Sequence, residues 1–129
     1  MIISAQEADA DNMRILDFRP ERTRLVGRYG SRFRIVSIET VDRSLTVSCM
    51  YLEAGGRVGR HRTTTAQLFL TVEGKGWVRT GRGSRRKVES GKAVSWKTGE
   101  WHEVGSEDGM TAIVVEHKTP AQKHAEQRR

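Results

Sequence analysis

Cysteine occurs once in the 129 residues, at Cys49, so the chain can close no internal disulfide and cannot build a cysteine-based zinc cluster. On an alternating apolar strand such a residue reads as a small buried hydrophobe rather than a nucleophile. Long hydrophobic runs are also missing. The longest uncharged stretch, Thr63 to Val72, opens on threonines and falls far short of the roughly 20 apolar residues a membrane helix requires. Met1 to Asp11 shows no basic segment followed by an apolar one, so no secretory signal is expected and the expected location is cytoplasmic. Aromatic residues make up only 6% of the chain, and Trp77, Trp96 and Trp101 are read as core or interface area, one of them available to line a cavity. The length suits one domain with one core.

Charge of one sign is what the chain has in excess: 23 Lys+Arg against 16 Asp+Glu leave +7. That raises the question of nucleic acid. Much of the excess, however, sits in one short loop, where Arg82, Arg85, Arg86 and Lys87 lie among Gly81, Gly83 and Ser84, and in a tail ending in Arg128 and Arg129. Glycine and serine there are turn chemistry, and no recognition helix or interleaved aromatic platform accompanies the cations. A solvated basic surface is the expectation, and a nucleic-acid partner is not.

The pattern along the chain is that of strands. Ser4 followed by Glu7 has the form of a capping box and predicts a short helix through about Met13. Pro20 to Gly30 is polar and irregular. From there a period of two takes over: Phe33 and Ile35 alternate with Arg34 and Val36, and Leu45, Val47, Cys49 and Tyr51 with Thr46, Ser48 and Met50. Glycines then punctuate the chain, separating candidate strands at Gln67 to Glu73, Gly76 to Thr80, Arg86 to Glu89, Lys92 to Lys97, Trp101 to Gly105 and Met110 to His117. Such spacing predicts an all-β sandwich or barrel over 31–117, with an extension over 1–30 and a basic tail or short helix over 118–129. Thr119 before Pro120 would cap that helix, through about Gln127. In Gln67 to Val72, Phe69 faces one way with Gln67, while Leu68, Leu70 and Val72 face the other. A strand apolar on both sides predicts a second covered face, and hence a homodimer.

Two glycine-anchored hairpins are each expected to bring one histidine to a turn. The first reads Gly55, five residues, His61, one residue, Thr63, three residues, Gln67, six residues, Gly74; the second reads Gly91, five residues, Lys97, one residue, Gly99, two residues, His102, three residues, Ser106. At these positions the chain resembles the cupin superfamily, whose motifs are G-x5-H-x-H-x3,4-E-x6-G and G-x5-P-x-G-x2-H-x3-N. The resemblance spans Gly55 to Ser106 by motif and the flanking strands to about Glu116 by pattern. It implies a single-domain cupin-like β-barrel of the double-stranded, jelly-roll type. It also implies homodimerisation and a divalent transition metal, with His61 and His102 as ligands and Gln67 in a third ligand position.

Four departures bear on chemistry. Thr63 stands where the family has its second histidine, Gln67 where it has glutamate, Lys97 where it has proline and Ser106 where it has asparagine. Losing one imidazole and the only carboxylate removes a strong donor and the neutralising charge, so affinity for a first-row ion should fall severely. Gln67 offers a neutral amide oxygen. Glu100 shares the strand parity of His102 and is the one candidate for an added carboxylate. A small barrel offers its mouth as a pocket, and His61, Thr63, Gln67 and His102 are the polar groups expected there, with Tyr51 and Phe69 as walls. Arg57, with Arg60 and Arg62, clusters at the rim and suits a carboxylate or phosphate on the ligand. The favoured expectation is a small-molecule-binding domain, because no nucleophile–base set and no full metal shell is visible. The alternative is a metal-dependent isomerase or dioxygenase.

Overall fold

A computed structural model describes residues 7–8 and 13–118. The strands are β1 (Glu7–Ala8), β2 (Arg14–Ile15), β3 (Arg24–Val26), β4 (Phe33–Val41), β5 (Leu45–Leu52) and β6 (Arg57–Arg62). They continue with β7 (Ala66–Thr80), β8 (Arg86–Glu89), β9 (Ala93–Trp96), β10 (Trp101–Gly105) and β11 (Met110–His117). The expected all-β architecture is what forms. Among the described residues no helix is long and apolar enough to cross a membrane.

Two curled antiparallel sheets face each other. One runs β3-β4-β5-β11-β7-β9 and the other β8-β7-β10-β6, with β7 belonging to both. The glycines near Gly74 were expected to separate two strands over 67–73 and 76–80; instead they bend one strand of 15 residues. Gly74 has φ +79, and a side chain there would collide with the Gly109 carbonyl, so glycine lets the strand turn from one sheet into the next without breaking. The first half of β7 pairs with β11 and β9, the second with β10 and β8.

Inward-facing residues build one core: Phe33, Met50, Leu52, Val58, Phe69, Val78, Val88, Trp96, Val104, Met110, Ala112 and Val114. The alternation read from the sequence holds in β7, where Phe69 is buried and Leu68 is exposed on the opposite face. Cys49 is buried, and burial raises its thiol pKa, consistent with an inert packing role.

Apart from their shared strand β7, the two sheets meet, among the described residues, along one edge. There Arg32, just ahead of β4, exchanges backbone hydrogen bonds with Arg57 at 2.7 and 3.0 Å. The Gly59 amide, one turn of pleat further along β6, donates to Ser31 Oγ at 2.8 Å. A side chain at Gly59 would overlap the Tyr29 carbonyl, so this seam can close only over glycine. At the opposite edge β8 and β9 each pair with β7 and not with one another.

The start of the chain departs from expectation. Ser4 lies outside the described residues, but Glu7 and Ala8, inside the expected helix, pair antiparallel with Ile15 and Arg14. The capping box is a local signal only; strand pairing and an ion pair from Arg14 to Glu39 on β4 win over it. The main sheet also begins earlier than residue 31, since β3 pairs with β4 from Arg24 to Val26. The expected helix over 120–127 lies outside the described residues.

Candidate functional site

The two motif histidines meet. His61 on β6 and His102 on β10 are direct cross-strand partners, both on the barrel-facing side, with ring centroids 4.4 Å apart and planes tilted by 57°. Both sit within strands rather than at turns. The motif glycines supply the turns that bring them there: Gly55, Gly91 and Gly99 all have φ between +78 and +91.

The imidazoles are the middle of a column of rings. Tyr29 lies parallel to His61 at 5.1 Å and 6°, Trp96 stacks on His102 at 4.3 Å and 27°, and Phe69 meets Trp96 edge-on at 6.0 Å. Such contacts fix ring orientation and hold the column as a wall. Tyr29 has φ 58, a left-handed conformation rare for a residue with a Cβ, and it is this backbone turn that precedes the closed seam. Trp96 is anchored further by its Nε1, which donates to Thr80 Oγ1 at 2.7 Å.

Along this wall runs a cavity of about 280 Å³, near the low end for small-molecule pockets. Phe33, Ile35, Met50, Val58, Phe69 and Val114 make it largely apolar; His61, His102, Gln67, Thr63 and Glu116 supply polar groups. Of the seven residues expected at the site, His61, Thr63, Gln67, Phe69 and His102 therefore line it. The structure places Tyr51 elsewhere: its register partner is Thr111, on the face away from the core residues Met50 and Leu52, and its hydroxyl donates to the Phe18 carbonyl at 2.6 Å. Arg57 is also outside the lining, its Nε donating to the Gly30 carbonyl at 2.9 Å in the closed seam. Arg62 is the rim arginine that reaches the cavity.

Glu116 and Tyr29 line the cavity without having been singled out from sequence, and Trp96 is the tryptophan that does line it. Glu116 is the cross-strand partner of Gln67 and accepts from Thr65 Oγ1 at 2.9 Å. Its parity with Val114 on β11 was a usable signal. Trp96 pairs with Gln67 from the other side, so one layer of the barrel reads Glu116, Gln67, Trp96. Tyr29 carried no signal, because it comes from an irregular segment.

His102 is buried, and burial, followed by the neighbouring His61, lowers its pKa to about 4; the nearby Glu100 carbonyl and carboxylate offset this only in part. The ring is neutral at pH 7, and its Nδ1 is buried without a well-formed hydrogen bond among the described residues. His61 Nδ1 lies 2.8 Å from the Gly59 carbonyl. A carbonyl only accepts, so Nδ1 of the neutral ring carries the proton and Nε2 is left with its lone pair.

The donor set does not fit a divalent ion well. Among the described residues no group of three or more His, Cys, Asp or Glu side chains comes together to hold one. Thr63 turns its hydroxyl to the Thr65 carbonyl at 2.7 Å. Glu100 does not add the carboxylate its parity suggested; its Oε1 accepts from the Lys97 amide at 2.6 Å, closing the turn before β10. Two imidazoles and a neutral amide lack the charge and the ligand count of a stable site. At the motif's end, Ser106 is structural, donating to the Lys75 carbonyl at 2.7 Å and accepting from the Gly109 amide at 2.9 Å.

No protein-family model matches the sequence, and no curated protein matches it. Solved structures do match the fold. A cupin 2 conserved barrel domain protein from Salinispora arenicola superposes with a TM-score of 0.72 at 18% identity, covering 91% of this chain and 98% of its own. A predicted oxalate decarboxylase from Thermotoga maritima gives 0.68 at 14% identity, covering 81% and 100%. The Clostridium difficile EutQ protein gives 0.68 at 10% identity, covering 92% and 98%. With two sheets sharing β7, two histidines paired across β6 and β10, and this agreement over nearly whole chains, the protein has the cupin fold.

Proposed function

We propose that this chain is a cytoplasmic, small-molecule-binding cupin-fold domain whose ligand occupies the histidine cavity without a tightly held metal. The observation that carries this reading is the convergence of two imidazoles, in register and 4.4 Å apart, on a mostly apolar cavity of about 280 Å³. The volume suits a compact ligand with one apolar ring or short chain. His61 Nε2 supplies an acceptor for a ligand O–H or N–H, Gln67 supplies both a donor and an acceptor, and Phe69 and Trp96 supply stacking surface. An anionic group on the ligand would meet Arg62, not Arg57, and Glu116 opposes it. A neutral or zwitterionic ligand is therefore favoured over a simple anion.

Phenol and benzoate are paired probes for this site. Phenol is expected to shift backbone amide resonances at Gln67, Phe69 and His102, more strongly than benzoate, and His61→Ala is expected to abolish the effect. Phenol shifts that avoid these residues would defeat the reading. A metal-dependent enzyme, with His61, His102 and Gln67 as ligands, is the second reading, supported by the register of the two histidines. Stoichiometric transition metal in freshly purified protein, lost in His102→Ala, would favour it; the binding reading expects no such metal.

The outer face of the β4-β5-β11-β7-β9 sheet supports homodimerisation as part of the same proposal. Leu68 and Val72 are 39% and 50% exposed, and a second copy of the same face would cover them. Light scattering is expected to give twice the chain mass at micromolar concentration.

A further inference from the structure

The open edge between β8 and β9 leads into a second cavity, of about 750 Å³, that shares no lining residue with the histidine cavity. Its inner wall is apolar. Val78 and Val88 belong to the core, and Val94 packs against it. Its rim is polar and cationic, with Thr80, Gly83, Ser84 and Ser95 beside Arg86, Lys87 and Lys92, and Glu89 as the one carboxylate.

The cations are not equivalent. Lys87 and Glu89 pair with each other at 4.0 Å, and Lys87 is the cross-strand partner of Trp77 on the outside of the sheet. Arg85, the next loop cation, is spent over the Trp77 ring at 3.8 Å and does not line the cavity. Arg86 differs. It lies directly across from Val78 and shares the parity of Val88, so it stands on the barrel-facing side, and it has no ion pair or side-chain hydrogen bond among the described residues. Lys92, at the opposite lip, likewise has no ion pair there. An unpartnered guanidinium at the mouth of a valine-walled cavity is matched by a molecule with an apolar body and one carboxylate, which the guanidinium can grip with two parallel hydrogen bonds.

We propose that the β8–β9 edge is a second binding site, separate from the histidine cavity, for an apolar monocarboxylate whose head group Arg86 holds and whose body lies on Val78, Val88 and Val94. Lys92 adds attraction from the other lip. Thr80 and Trp96, joined by their 2.7 Å hydrogen bond, form the partition between the two sites.

Octanoate and 1-octanol, equal in chain length and different in charge, are the probes for the full chain. Octanoate is expected to bind and to shift amide resonances of Gly83, Arg86, Val88 and Val94, with octanol about tenfold weaker. Arg86→Gln is expected to weaken octanoate about tenfold and to leave octanol unchanged; Lys92→Gln weakens octanoate by a smaller factor. Arg86 is exposed, so its replacement should leave the melting temperature unchanged, which is checked alongside. Equal affinity for octanoate and octanol, unchanged octanoate binding in Arg86→Gln, or shifts confined to Gln67 and His102 would each overturn the proposal.

Discussion

The barrel's two edges are made from the same kind of strand and end differently. At one, β6 approaches the chain ahead of β4 closely enough for Arg32 and Arg57 to share two backbone hydrogen bonds, with Gly59 leaving room for the Tyr29 carbonyl. At the other, β8 and β9 diverge, and cations and valines face the gap. Curvature alone does not decide closure. A missing Cβ at one position permits backbone contact, while the other edge, left unpaired, is lined by exposed charged side chains. Histidine and carboxylate chemistry therefore sits deep behind the closed edge, and cationic chemistry sits shallow at the open one.

The comparison can be broken most severely at the wall between the two sides. Trp96 is 2% exposed and packs on His102 and Phe69, so Trp96→Ala is expected to cost about 4 kcal/mol in urea unfolding. Two glycine substitutions then sharpen it. Gly59→Ala forces the closed edge apart and should cost about 3 kcal/mol. Gly81→Ala lies beside the open edge with φ +58 and nothing near its added methyl, and should cost only about 1 kcal/mol of backbone strain. Equal losses at the two positions would show that closure contributes little.

Acid gives a third test, confined to the closed side. His102 titrates near 4 when folded and near 6.5 when unfolded, so between those values the unfolded chain holds more protons. Stability is complete above about pH 6.5 and falls as pH drops towards 4, by roughly 3 kcal/mol if this group acts alone. Unfolding free energies measured at pH 7, 5.5 and 4 should show that decline, and His102→Gln should flatten it. A wild-type profile with no slope over this window would mean that the ring is not held neutral.

Much of this arrangement was legible in the sequence. The spacing of Gly55, His61, Gln67 and Gly74 against Gly91, Gly99 and His102 carried the convergence of the two imidazoles, because those glycines mark backbone turns that fix strand register. The alternation at Leu68 and Phe69 gave both faces of β7. What escaped depends on contacts between distant segments. Tyr29 reaches His61 from an irregular stretch with no period. Arg57 looked like a rim cation, but the closed edge turned its side chain to Gly30. Tyr51 had the right residue type and the wrong parity. Glu116 had the right parity, but no motif position marks it as a site residue.

The strand β7 has one more consequence. As the only strand among the described residues shared by both sheets, it makes each sheet's loss of order the loss of the other's central member, so the described domain has no half that can melt by itself. Amide exchange along β7 should follow a single opening free energy from Phe69 through Val78, and the two chambers should disappear together rather than in sequence.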